Sequence, residues 1–243
     1  MPRLVHGKLE KINSPAITST RPIILTSLLA CLLLYVLEQI LAVSYLTKTL
    51  AKIILFAGLP GCYFFFNKTA LTEGTSVKAR QEGILRSLKP GALFGILAFC
   101  IVLAAYMLLQ DALDLPAIAQ ELTEKSQVTP ANFLLVGFYI TIGNSFLEEF
   151  FFRGFLFGSL SRLGRTQLAY VYSSLLFGLY HIAIFQTWFN PWMMSLALVG
   201  LVGVGFIFNW LNTKANHFYN SWLAHVFADA AIILVGLRMF ELI

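Results

Sequence analysis

The chain has 243 residues, of which 58% are hydrophobic and only 12% charged, with a mean hydropathy of +0.76. A water-soluble globule carries about twice that share of charge, so composition excludes one and points to a membrane protein forming a single transmembrane domain over residues 1–243. Seventeen basic residues against twelve acidic ones give a net charge of +5. Most of the bases fall between apolar runs, so the excess reads as membrane topology, and no nucleic-acid partner is expected.

The N-terminus is polar and basic up to Arg21 and Pro22. The apolar run that follows is too long for a signal-peptide core and predicts an uncleaved first helix. A bilayer core of ~30 Å needs about 20 apolar residues in a helix. Runs of about that length recur at roughly 23–46, 49–67, 91–110, 131–160, 167–188, 191–212 and 217–238. The fold class expected is therefore all-α, a polytopic helix bundle of about seven spans. Whether the second run crosses fully or re-enters is open. Asn190-Pro191 separates spans five and six, with Asn as the cap and Pro in the first turn, and Thr129-Pro130 is read as opening span four in the same way. The loop 111–130 reads as acidic, with Asp111, Asp114, Glu121 and Glu124. Cys31, Cys62 and Cys100 lie in apolar stretches without a CxxC pair and read as small core residues.

Basic residues in short loops set the orientation. With the N-terminus in the cytoplasm, that side holds Arg3, Lys8, Lys11, Arg21, Lys68, Lys78, Arg80, Arg86, Lys89, Arg162, Arg165 and Lys214. The far side holds Lys48, Lys52, Lys125 and Arg238. Gly154 and Gly158 in span four, and Gly200, Gly203 and Gly205 in span six, are read as sites of close helix approach.

Ionisable side chains inside a span are costly and mark function by default. Here they are Glu38, Glu148, Glu149, Arg153, His181, His225 and Asp229, and all but Glu38 lie in spans four, five and seven. Spacing sorts their faces. Glu149 and Arg153 are i,i+4 and suit an ion pair, while Glu148 is turned about 100° away. His225 and Asp229 are also i,i+4, as are Phe177 and His181, and Asn144 and Glu148. Glu38 needs no role beyond lining a polar interior.

Three motifs result: Glu148-Glu149-x-x-x-Arg153, Phe177-x-x-x-His181 and His225-x-x-x-Asp229, preceded by Asn220-Ser221-Trp222. In order and placement they resemble the CPBP family, which groups type II CAAX prenyl endopeptidases with bacteriocin-processing and self-immunity (Abi) membrane proteins. The resemblance covers about 131–235, a catalytic-type core, and leaves accessory spans over about 23–110. It implies an intramembrane endopeptidase acting on a membrane-anchored peptide or protein at the lipid bilayer. The substrate would be a prenylated C-terminal tail, a leader peptide or similar. Glu148 would be the base, activating water with His181, and His225 would stabilise the oxyanion or hold the water. Glu149 and Arg153 would be the supporting pair, although Arg153 could instead bind a substrate carboxylate. Phe177 and Asn144 would support the motifs. Well-studied members often have Asn where this chain has Asp229, which could donate when protonated, orient His225, or ligate a metal. Glu148, His181, His225 and Asp229 could together hold Zn2+ with an open position. No HExxH helix is present, and a metal-free water activated by Glu148 fits the same residues, so both versions stay open here.

Two other classes compete. Buried Glu, His and Asp can relay protons in a transporter, but no repeated half is visible. A non-catalytic scaffold or immunity protein would keep the polar cluster for folding alone. The expected location is a multi-pass membrane protein whose site opens toward the cytoplasm.

Overall fold

In a computed structural model, which describes residues 19–66 and 88–243, every regular element is helical. In chain order these are α1 (Arg21–Ile40), α2 (Tyr45–Phe66), α3 (Lys89–Ala112), α4 (Leu115–Ser126), α5 (Phe133–Arg162), α6 (Thr166–Phe185), α7 (Pro191–Ala215) and α8 (Tyr219–Met239). All but α4 are long and apolar enough to cross a membrane, which makes seven spans among the described residues. The second run is a 22-residue helix, long enough to cross outright. Arg3, Lys8, Lys11, Lys68, Lys78, Arg80 and Arg86, used above for orientation, lie outside the described residues.

Local chemistry sets the boundaries. Asn190 caps α7 by accepting from the Met193 amide at 3.0 Å, with Pro191 in the first turn, as its sequence indicates. Asn216 then ends that helix in the left-handed region at φ 56°, a conformation Asn tolerates. Thr129-Pro130 differs from expectation: α5 begins only at Phe133. The Asn132 side chain bonds back to the Thr129 amide at 2.8 Å, so the pair forms a turn ahead of the helix rather than its first turn. The acidic loop also holds a helix, α4. Asp114 caps it through the Ala117 amide at 3.0 Å, Pro116 sits in its first turn, and Glu121 pairs with Lys125 at 2.9 Å.

Packing between spans relies on small residues, though not on all those expected. A Cβ on Gly91 of α3 would sit 2.6 Å from the Asn220 carbonyl oxygen of α8, and the Gly91 amide donates to the Asn220 side chain at 2.9 Å. A Cβ on Gly205 of α7 would lie 2.9 Å from the Ser174 Cα of α6. Gly200 and Gly203 face open space, so the close-approach reading fails for them. Their side of α7 is turned away from the bundle. The aromatic core lies between α2, α5 and α6: Phe56 stacks on Phe151 with centroids 4.1 Å apart and meets Phe152 edge-on. Phe151 and Phe152 are therefore packing groups, fully buried.

Several spans leave regular α geometry near the centre of the bundle. Tyr139–Asn144 and Phe150–Phe157 are π-helical and bracket the α-helical stretch Ser145–Glu149. Val36–Ile40 of α1 and Ile54–Gly58 of α2 are π-helical as well. Such wide turns recur at functional sites because they re-aim side chains. Here they flank the two adjacent glutamates.

Candidate active site

Glu148, in the middle of α5, is the hub. Its Oε2 faces the Nε2 of His181 at 3.7 Å and the Nε2 of His225 at 3.8 Å. The Nε2 of His225 is also 3.7 Å from the Asp229 Oδ1. The four residues on three separate helices thus meet, as their motifs predict. None is more than 8% exposed. These spacings are too long for direct hydrogen bonds, but two bonds of about 2.8 Å would span them through one intervening water. Glu148 Oε2 and Asp229 Oδ2 are both buried without a partner, and a buried polar atom in that state marks a place for water or substrate.

The rings are held in defined tautomers. His181 closes the regular part of α6, and its Nδ1–H donates to the Phe177 carbonyl one turn back at 2.7 Å. A carbonyl only accepts, so the proton lies on Nδ1, and in the neutral ring Nε2 is left to accept. Phe177 adds an edge-on ring contact at 4.6 Å. Its motif position therefore supplies both a backbone acceptor and a packing face. His225 Nδ1 lies 3.0 Å from Glu149 Oε1, and Nδ1–H likewise donates to that carboxylate oxygen. The second glutamate is thus tied to the second histidine, a link that i,i+4 spacing could not reveal.

The Glu149–Arg153 pair forms at 3.0 Å with both side chains fully buried. Arg153 lies over the Phe177 ring at 4.1 Å and the Phe208 ring at 5.0 Å. Enclosed this way, its guanidinium compensates Glu149 and stacks on the aromatic wall.

One charged group of the site escaped the sequence. Lys52 was assigned to the far-side loop, yet it sits inside α2 with 8% exposure. Its Nζ donates to Glu148 Oε1 at 2.6 Å and to the Asn144 Oδ1. Asn144 in turn donates from Nδ2 to the same Glu148 oxygen at 3.0 Å. The signal was present: Lys52 falls within the apolar run 49–67 and shares an i,i+4 face with Phe56. Lys48, one turn earlier, pairs with Glu38 at 2.6 Å, so Glu38 answers a charge rather than merely lining a polar interior.

The donor types suit zinc, but the arrangement does not. Among the described residues no group of three or more His, Cys, Asp or Glu side chains could hold a metal ion. The Lys52 ammonium occupies one oxygen of the central carboxylate, and a second cation there would be repelled.

Residues 130–231 match a family model described as Rce1-like, type II CAAX prenyl endopeptidase. The matched stretch runs from the turn before α5 into α8 and contains all three motifs. No curated protein matches the chain, and no solved structure does. The match and the seven apolar helices together give a multi-pass membrane protein. Over residues 130–231 it is similar to the Rce1-like type II CAAX prenyl endopeptidases, in agreement with the CPBP resemblance read from its motifs.

Proposed function

We propose that this chain is an intramembrane endopeptidase that hydrolyses a peptide bond of a membrane-anchored substrate with a water activated by Glu148. The observation that carries the reading is the unpartnered Glu148 Oε2, buried and facing the Nε2 atoms of His181 and His225. A water placed among these three atoms is oriented by His181 and gives its proton to Glu148 as its oxygen attacks the scissile carbonyl carbon. The carbonyl oxygen becomes an oxyanion. His225 has a carboxylate at each ring nitrogen, Glu149 at Nδ1 and Asp229 near Nε2. It is the ring placed to carry positive charge and donate from Nε2 to that oxyanion. Collapse of the tetrahedral intermediate breaks the C–N bond, and the proton held by Glu148 passes to the leaving amine.

Asp229 in this scheme orients and charge-compensates His225, a role that needs an acceptor and not a donor. The substrate class that the family description favours is a prenylated C-terminal tail. A cytoplasmic opening of the site belongs to the same proposal.

The test compares membranes and medium from cells making wild-type protein with those making Glu148→Ala at equal level, reading protein termini by mass spectrometry. Cleaved termini present only with the wild type are expected, and they would name the substrate and the bond. Identical sets of termini in cells that contain prenylated proteins would sink the peptidase reading and favour proton transport or scaffolding.

A further inference from the structure

Lys52 lies outside the family-matched stretch, on the second span, yet it touches the central carboxylate. We infer that Lys52 is a positioning residue of the hydrolytic site, fixing the carboxylate of Glu148 so that Oε2 faces the two histidines, and that α2 is therefore part of the working enzyme. The inference rests on the peptidase reading above and extends it to a residue and a helix that the motifs leave out.

The physical argument begins with cost. A lysine ammonium removed from water inside a bilayer is retained only where a charge or a cavity answers it. Snorkelling would take a lysine near a helix end to the interface. Lys52 does the opposite: it is the eighth residue of α2 and its ammonium turns inward. The Phe56 and Tyr180 rings lie 5.5 and 5.0 Å from it, and its hydrogen bonds go to Glu148 and Asn144.

The geometry then assigns a task. Asn144 accepts from Lys52 and donates to Glu148 Oε1, and Lys52 donates to that same oxygen. Three polar groups form a closed triangle on one side of the carboxylate. Oε1 is saturated by two donors, whereas Oε2 has none and points at the imidazoles. A carboxylate bound on one edge only by Asn144 would be free to turn about its terminal bond, which has a broad torsional preference. Pinning Oε1 is what makes the free oxygen a directed base. Structural bonding alone would not require Lys52 to meet the one glutamate that faces both histidines, when Glu149, adjacent in sequence, is served by Arg153 instead.

The test uses full-length protein in liposomes with an internally quenched farnesylated peptide ending in a free carboxylate. Lys52→Met is expected to lower kcat about 100-fold, the scale of a 1 Å misplacement of a reacting group, while KM stays within about threefold because the substrate is not touched. Lys52→Arg should recover part of that loss, since a guanidinium also reaches a carboxylate. Lys48→Met, one turn away on the same helix, should keep wild-type kcat. In a Glu148→Gln background Lys52→Met should cost nothing further, because the group it positions is gone. Melting temperature in detergent should fall in Lys52→Met and recover when Glu148→Gln is added.

Wild-type kcat in Lys52→Met overturns the inference, as does a raised KM with kcat intact, which would make Lys52 a substrate-binding group. Additive losses in the double variant overturn it too. If Lys52→Met yields no folded protein, Lys52→Gln, which keeps a donor and drops the charge, carries the same reading. A wild type that cleaves no faster than Glu148→Gln would overturn the peptidase reading and this role with it, whereas an active wild type beside an equally active Lys52→Met overturns this inference alone.

Discussion

Arg153 holds its charge where water does not reach it, and what keeps it there is Glu149, one helical turn away at 3.0 Å. Breaking a buried pair by removing one partner leaves the other charge unanswered, at a cost of roughly 3–5 kcal/mol. Arg153→Met is therefore expected to lose that stability, read as a lower melting temperature and lower folded yield in detergent. Adding Glu149→Gln should restore part of it, although His225 would then lose the carboxylate on its Nδ1. Equal stability of Arg153→Met and wild type would show that the pair is not structural. At this scale the sequence was informative wherever a charge sat deep in an apolar run: Glu148, His181, His225 and Asp229 stand out for that reason and do meet. It was ambiguous for Lys52, because a lysine eight residues after the Ser44 cap reads equally well as an interfacial base even though it falls within an apolar run. Which way its stem runs is decided by Glu148, 96 positions away in sequence.

At the scale of the helix, the site depends on where backbones approach and where they widen. π-helical turns lie on either side of Ser145–Glu149, and the adjacent glutamates of that stretch serve different partners: Glu148 meets Lys52 and His181, and Glu149 meets Arg153 and His225. An i,i+4 count predicts the separation of their faces but not these partners, since π turns carry no sequence period of their own. The contact of α3 with α8 is equally specific. Gly91 rests on the backbone of Asn220, five residues before His225. Backbone cannot rotate aside as a side chain does, so a methyl group there forces the helices apart. Gly91→Ala is expected to destabilise by about 1–3 kcal/mol and to slow cleavage, because α8 carries His225 and Asp229. Gly200→Ala, which meets open space, should leave both unchanged. Melting curves and peptide cleavage of the two variants decide the matter, and equal behaviour would show that this contact does not position α8. The glycines of α7 were legible as candidate helix-packing residues, but which of them face a partner depends on how α7 is turned in the bundle, and Gly91 was not singled out at all.

At the scale of the molecule, seven candidate spans among the described residues, if each crosses, put the start of α1 and the end of α8 on opposite sides of the membrane. The helix directions assign the charges. With α1 leading outward, Arg21, Lys89, Arg162, Arg165 and Lys214 fall on the starting side, at the ends of α1, α3, α5, α6 and α7. The other side carries Lys125 and Arg238, together with Asp111, Asp114, Glu121 and Glu124 around α4. Lys52 leaves this tally because it is buried against Glu148, and Lys48 is neutralised by Glu38, so the bias is stronger than the loops alone suggested. Basic residues in short loops are retained in the cytoplasm, so the expected orientation has the α5–α6 and α7–α8 turns there and Ile243 on the far side. Alkaline phosphatase fused after Ile243 in a bacterial host is therefore expected to be active, and the same enzyme fused after Gly164, between α5 and α6, inactive. The reverse pattern would invert the molecule. Activity at both points would mean that one of the three helices between them does not cross. Either result would also move the side from which a substrate approaches Glu148, because α5 and α6 reach the site from the turn that the second fusion reports.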